Sequence, residues 1–203
     1  MNITPLFGIP VYSKQVSVNN DLLHSYEDWQ NINNGKRTKT NKYLNDNPYY
    51  GNIMKQCVDE YLYDTLLIKK HISWRWTTSW GLRHDPGHFS KVHTHANAMF
   101  SCILYTEVPE DSGDLIISKD SRNVWTTGTV LPDVERLTNI TTPEVHIRPQ
   151  PGYCVIFPGF VHHGSGVNNS TDDRYCIVGN VFVQGTMGDD DDHGASPLSE
   201  LTI

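Results

Sequence analysis

The chain has 203 residues, a length that suits one all-β or barrel domain, and its five Trp, ten Tyr and six Phe help a 37 % apolar content fill a core. Sixteen Lys and Arg against 23 Asp and Glu leave a net charge of −7, which removes any long-range electrostatic reason to expect duplex nucleic acid or an anionic membrane as partner. No apolar run reaches membrane-spanning length, "MNITPLFGIPVYSK" lacks the regions of a signal peptide, and Cys57, Cys102, Cys154 and Cys176 show no zinc-ligand spacing, so a cytoplasmic protein with buried free thiols is expected.

In chain order, residues 3 to 18, "ITPLFGIPVYSKQVSV", combine β-branched and aromatic residues with prolines and predict an edge strand. Leu22, Leu23, Tyr26 and Trp29 suggest a short helix over 20–32. The turn-rich stretch 33–50 follows as a long loop, with a solvated basic cluster of Lys36, Arg37, Lys39 and Lys42, and is a candidate lid or substrate contact. From 53 to 67, Met54, Cys57, Val58, Tyr61, Leu62, Thr65 and Leu66 recur at three and four, the clearest amphipathic helix in the chain. After residue 71 the pattern changes to short β-rich runs: "ISWRWTTSWGLR", "HFSKVHTHA", "MFSCILYTEV", "GDLIISKD", "EVHIRPQ", "GYCVIFPG" and "RYCIVGNVFVQ". Gly, Pro, Asn and Asp separate them, as in a sandwich or barrel. "GDDDDHG" near the C-terminus reads as a solvated acidic turn or tail. One domain is expected over 1–203: an N-terminal strand and helical buttress to about 70, a β core over about 71–185, and a tail over 186–203.

Within the β region, "KVHTHANAMFSCILY" carries His93 and His95. Alternate residues of a strand share a face, so the two imidazoles can converge, and neutral imidazole suits Fe, Zn and Cu. A third ligand must come from "PGYCVIFPGFVHHGSGVNNSTDDRYCIVGNVFV", which offers His162 and His163, and then Arg174 at the start of another apolar strand. Each piece has an ordinary alternative. The histidine pair could be a surface turn, and Arg174 could pair with Asp172 or Asp173. Their order fits a rolled sheet that brings the two regions together.

On these residues the chain resembles the 2-oxoglutarate and Fe(II)-dependent oxygenases, and more narrowly a group common in marine bacteria and their phages. The resemblance runs from "ITPLFGIPVY" through "WGLRHDPGHFSKVHTHANAMFSCILYTEVPEDSGDLIIS" to "GYCVIFPGFVHHGSGVNNSTDDRYCIVGNVFV". It implies a mainly β chain with N-terminal helices, folded as a double-stranded β-helix: a jelly-roll, cupin-like domain. It implies Fe(II), 2-oxoglutarate and O2 as cofactors, with decarboxylation to succinate and CO2 coupled to oxidation of a substrate C–H bond. The substrate would be a small molecule or a protein or peptide side chain, in the cytoplasm (a host's, for a phage-encoded chain). His93 matches the first metal ligand and His163 the distal histidine, six residues after Phe157, with His162 as fallback. Arg174 matches the arginine that grips the far carboxylate of 2-oxoglutarate, a role suited to a fixed, always-charged fork. Tyr105 falls where relatives place a further polar contact to the cosubstrate.

Two positions depart from the wider family. Where a carboxylate usually follows the first histidine, this chain has His95, so the resemblance leaves three readings: a three-histidine site, a two-histidine site with water, or a lost site. After Arg174, Cys176 stands where many relatives carry a serine. Asn97, Asn180 and Ser101 are candidates for orienting the histidine rings. Two other classes remain: a cupin metalloenzyme without 2-oxoglutarate, which lacks its usual Glu between 96 and 106 and leaves Arg174 unexplained, and a non-catalytic β-sandwich of a phage.

Overall fold

Apolar alternation along the later strands builds two antiparallel sheets that pack face to face. The computed structural model describes residues 8–119, 133–138, 140–187 and 196–197. The elements begin with β1 (Tyr12–Gln15), α1 (Asp21–His24), β2 (Trp29–Ile32), β3 (Gly35–Thr38), α2 (Tyr43–Asp46), α3 (Pro48–Asp59) and a π-helical segment Glu60–Thr65. The β core follows as β4 (Ser73–His84), β5 (Phe100–Glu107), β6 (Leu115–Ser118), β7 (Glu144–Ile147), β8 (Tyr153–Pro158), β9 (His162–Ser165) and β10 (Arg174–Gln184). The short pair β11 (Thr186–Met187) and β12 (Ser196–Pro197) forms a separate ribbon.

The large sheet runs β1-β8-β5-β10-β4-β3-β2 and the small one β7-β6-β9. A bridge between His93 and His163 extends the small sheet by one more segment. Four central strands of the large sheet facing three strands and this bridge give a double-stranded β-helix.

Two cores follow from strand periodicity. Phe100, Cys102 and Leu104 of β5, Cys154 and Ile156 of β8, and Ile177, Val181 and Val183 of β10 point to one face and meet Tyr50, Met54, Cys57, Val58, Tyr61 and Leu62 of the helical layer. Their neighbours Ile103, Tyr105, Val155, Phe157, Cys176 and Val178 point the other way and meet Leu115 of the small sheet. Covered on both faces, β5 and β10 are buried almost without interruption, as in sheets packed between two layers. Each fully buried Phe or Ile contributes about 1.5–3 kcal/mol relative to exposure.

Several expectations are corrected. The helix over 20–32 shrinks to α1, because Trp29–Ile32 pairs with Gly35–Thr38 as a hairpin on the edge of the large sheet. The 33–50 loop is therefore largely ordered, and its basic cluster is not simply solvated: Lys36 pairs with Asp85 at 2.9 Å, and Lys39 pairs with Asp28. Helix α3 begins at Pro48, whose missing N–H costs nothing at a first helical position, and winds into the π segment after Asp59. "HFSKVHTHA" is a loop, not a strand, meeting β9 at the His93 bridge and at Ser90, whose carbonyl accepts from Ser165 N–H at 2.9 Å. The N-terminal edge strand is confined to β1, residues 1–7 lying outside the described residues, as does "GDDDDHG" over 188–194. All four cysteines are free and buried, as expected.

Candidate metal centre

The loop carrying His93 and His95 is held against β9 largely by backbone hydrogen bonds, with Ser90 N–H also donating to Ser165 Oγ at 2.8 Å. His93 N–H donates to His163 O and His163 N–H to His93 O, both at 2.9 Å, and His95 N–H donates to Gly159 O at 3.0 Å. Gly164 permits the close approach, since a Cβ there would lie 2.7 Å from Ser90 O and 3.0 Å from Val92 N. The result gathers His93, His95 and His163, with one ring nitrogen of each within 4.8 Å of the others. The ring centres of His93 and His95 are 5.0 Å apart, those of His93 and His163 4.5 Å. His162, one residue earlier on β9, lies outside this cluster, and its Nδ1 is buried without a partner.

The donor set fits a metal. Three imidazole nitrogens suit Fe, Zn or Cu, and the 3.2 Å between His95 Nε2 and His163 Nε2 is close to the roughly 3 Å expected for neighbouring ligands at metal–nitrogen distances near 2.1 Å. The rings are positioned from behind. His93 Nδ1 lies 2.7 Å from Lys91 O, His163 Nδ1 2.9 Å from Val161 O, and His95 Nδ1 3.0 Å from Asn180 Nδ2. Ser101 Oγ donates in turn to Asn180 Oδ1 at 3.1 Å, and Asn97 Oδ1 lies 3.4 Å from Asn180 Nδ2. Burial pushes the His163 pKa down to about 3, and burial with the neighbouring His93 pushes that of His95 to about 4. Both rings are neutral at pH 7 and can ligate without first releasing a proton.

A cavity of about 360 Å³ opens from this cluster, within the size range of small-ligand sites. Trp80, Leu82, Ile103, Leu115 and Val178 supply its apolar wall, and no Asp or Glu lines it among the described residues. Arg174, 1 % exposed, also lines it. One terminal nitrogen donates to Ser112 O at 2.6 Å and Gly113 O at 2.7 Å; the other donates to His84 Nδ1 at 2.7 Å and Ser165 Oγ at 2.8 Å. All four acceptors are neutral, and Nε is buried with no partner. Neither neighbouring aspartate pairs with it: Asp173 pairs with Arg83 at 2.6 Å, and the Asp172 carboxylate meets Thr171. A buried guanidinium with no counter-anion among the described residues, lining a cavity, fits a carboxylate ligand.

Tyr105 also lines the cavity, 3 % exposed, and burial raises its hydroxyl pKa. Cys176 lines it as a buried thiol whose pKa burial raises to about 11, so it presents no anion. His84 is the residue that sequence reasoning missed. It ends β4 directly opposite Arg174, and its pKa is pushed to about 3 by burial and by the guanidinium, which keeps Nδ1 an acceptor. Its Nε2 meets Ser90 Oγ at 3.0 Å. The one available signal was its place on the same strand face as Trp80 and Leu82, at spacing two.

The profile of a family described as "Putative 2OG-Fe(II) oxygenase" matches residues 78–180, about half of the chain. A search of curated protein sequences finds no match. Similar solved structures include a 2OG-Fe(II) oxygenase family oxidoreductase from Burkholderia pseudomallei, at 10 % identity and TM-score 0.58, covering 79 % of this chain and 74 % of that one. HygX from Streptomyces hygroscopicus, with nickel and 2-oxoglutarate bound, is similar at 11 % identity and TM-score 0.57, covering 85 % and 82 %. A Pseudomonas putida prolyl-4-hydroxylase is similar at 14 % identity and TM-score 0.53, covering 85 % and 92 %. At such identities these likenesses establish the double-stranded β-helix fold, and the family profile carries the rest. From β4 to β10 the matched half spans both the histidine cluster and the arginine cavity, and the chain belongs to the 2OG-Fe(II) oxygenase family, dioxygenases that depend on ferrous iron and 2-oxoglutarate.

Proposed function

We propose that the chain is a hydroxylase in which His93, His95 and His163 hold Fe(II) and Arg174, with Tyr105, holds 2-oxoglutarate. The observation that carries this reading is the disposition of β9. His163 joins the histidine cluster while Ser165, two residues on, meets the guanidinium of Arg174. Same-face neighbours on a strand lie about 7 Å apart, so the metal cluster and the buried cation stand one strand repeat from each other along one cavity. A short dicarboxylate can bind the metal with one end and compensate Arg174 with the other. In this reading the hydroxyl of Tyr105, which lines the same cavity, donates to the same ligand, and its raised pKa keeps that proton in place.

When bound, Fe(II) and 2-oxoglutarate supply the oxidative decarboxylation to succinate and CO2 that is coupled to substrate oxidation. The chain's own residues orient and shield. Neutral His84 fixes the guanidinium without competing for charge, while Trp80, Leu82 and Leu115 keep water from the cosubstrate. Lys91 and Phe89 also line the cavity, with Ile32, Asn33 and Asn34 of the β2–β3 hairpin, so that hairpin is the element of the former loop best placed to touch a substrate. HygX is known with hygromycin B bound, and another relative is a prolyl hydroxylase; a small molecule or a protein side chain is the corresponding substrate class here.

The test is turnover of 2-oxoglutarate. Wild type supplied with Fe(II) and O2 should release succinate and CO2 in equal amounts, faster when the right candidate from a panel of metabolites and peptides is present. His163→Ala should release none. Equal succinate from both proteins would reject the reading.

A further inference from the structure

The lining of the cavity divides by exposure. Arg174, His84 and Tyr105 are buried, while Ile32, Asn33, Lys91 and His93 are exposed and form its rim. The chain carries 23 Asp and Glu, yet none of them lines the cavity among the described residues. Its permanent cations are Arg174 and Lys91. The neighbouring cations of β3 and β4 are already paired: Lys36 with Asp85 at 2.9 Å, and Arg83 with Asp85 at 2.7 Å and Asp173 at 2.6 Å. Lys91 has no ion pair or side-chain hydrogen bond among the described residues, and neither have the side-chain amides of Asn33 and Asn34, which line the same cavity. Both sides of the rim are held in place. A Cβ on Gly35 would lie 2.8 Å from Arg83 O, so the base of the β2–β3 hairpin packs directly on β4. A Cβ on Gly164 would lie 3.1 Å from the carbonyl carbon of Lys91, whose oxygen lies 2.7 Å from His93 Nδ1. The Lys91 backbone is therefore fixed against β9, and only its flexible four-carbon stem moves.

We infer that the substrate is a small acid, a molecule whose carboxylate or phosphate is held at the rim by the Lys91 ammonium and the Asn33 and Asn34 amides. The inference rests on the ligand set and cosubstrate proposed above. Charge balance carries it. Three neutral histidines bring no negative charge to a divalent ion, where a carboxylate ligand would. The two carboxylates of 2-oxoglutarate offset less than the ion, Arg174 and Lys91 carry together, so the loaded cavity stays cationic. A cleft lined by one sign of charge and walled by apolar side chains focuses that field on its occupant. An anionic group answers it, and at an exposed lysine it is paired without the cost of deep burial. Ammonium and amide N–H groups both donate, as the oxygens of such an anion require. Ile32 and Phe89 line the cavity beside them and offer apolar surface to the hydrocarbon part of the molecule. Lys91 stands two residues before His93, so an acid held there keeps that part beside the histidine cluster. The size favours a small molecule: about 360 Å³ is at the low end for small-ligand sites, and the cosubstrate takes a share of it.

Ligand-observed NMR titration tests this on the full chain loaded with Zn(II), which has no redox chemistry, and saturated with 2-oxoglutarate. The probes are butyrate with butyramide, phenylacetate with phenylacetamide, and phenyl phosphate. In wild type each carboxylate should bind roughly fivefold more tightly than its amide, the upper end for an exposed ion pair, since two amides help fix its geometry. Lys91→Met should bring each pair within about twofold, Lys91→Glu should invert the order, and the amides should bind all three proteins alike. Lys91 is exposed, so both variants should keep the fold. Tighter binding of the carboxylates than of phenyl phosphate assigns a carboxylic acid, and the reverse assigns a phosphate monoester. The inference is overturned if acids and amides bind wild type alike, if no acid binds, or if the preference for acids survives in Lys91→Met. It is also overturned if hexa-aspartate binds more tightly than every small acid, which would make the substrate an acidic peptide. Failure of 2-oxoglutarate to bind the Zn(II)-loaded wild type instead overturns the ligand set, a separate result.

Discussion

Replacing Arg174 by Met separates a ligand-binding arginine from a structural one. The guanidinium makes four hydrogen bonds to Ser112 O, Gly113 O, His84 and Ser165, and bonds from a charged donor contribute about 1.5–3 kcal/mol each. Against them stands the cost of burying a cation with no anionic partner, several kcal/mol. Methionine fills much of the same volume and removes that cost while leaving the four acceptors without a donor. The two changes oppose each other, so the urea midpoint should move little, by at most about 2 kcal/mol of stability. Cosubstrate binding has no such compensation. Losing the partner of a buried carboxylate costs about 2–5 kcal/mol, or roughly 30-fold to a few thousand-fold in affinity. Anaerobic calorimetry of 2-oxoglutarate into the Fe(II)-loaded protein reads this loss, and Fe(II) affinity should hold within about threefold because Arg174 touches no histidine of the cluster. Equal loss of iron and 2-oxoglutarate, or an unfolded variant, would refute the reasoning and make Arg174 a structural residue.

Further outcomes follow from the same geometry. Gly164→Ala would place a Cβ 2.7 Å from Ser90 O, and the overpacking cost of about 1–3 kcal/mol should lift the His93 loop; metal titration should show Fe(II) weakened by roughly 5–150-fold with β-sheet circular dichroism intact. His84 has its pKa lowered from 6.5 to about 3, so the unfolded chain binds the proton first as pH falls. Its contribution is full above 6.5 and is lost through the window down to about 3, with a slope approaching 1.4 kcal/mol per pH unit, and His163 acts in the same direction. Urea midpoints in the presence of chelator should therefore fall from about pH 7 to about pH 5, and His84→Asn should make that fall shallower, with His95 and His163 retaining part of it. Phe157, fully buried with its ring 4.6 Å from that of His163, should cost about 3–5 kcal/mol when cut to Ala, read as a lowered urea midpoint.

Much of the core was legible from pattern alone. β-rich runs bounded by Gly and Pro mark β5, β6, β8 and β10 because alternate side chains there enter two different cores. That the two histidine regions meet followed from order along the chain, with His163 singled out by the family resemblance, but the local reason was mistaken. The loop at "HTHA" has no strand pairing of its own beyond one bridge; it is placed by hydrogen bonds to β9 and Gly159, sixty to seventy residues away in sequence. The β2–β3 hairpin was read as helix and loop because Asn, Gly and Lys carry no apolar alternation, and its pairing with β4 at Lys36 and Arg37 is tertiary. His84 was missed for a similar reason. In "GLRHDPG" it reads as the polar end of a strand, and only the register of β4 against β10 sets it opposite Arg174.

The central claim, that three histidines and a distant buried arginine form one centre for Fe(II) and 2-oxoglutarate, is tested most directly by the anaerobic absorption spectrum. Fe(II) chelated by 2-oxoglutarate gives a charge-transfer band near about 500 nm. Wild type should develop this band on adding both components, His163→Ala should show none, and Arg174→Met should require far more 2-oxoglutarate to reach it. A wild type that stays colourless with both present, or a band that survives in His163→Ala, would contradict the account.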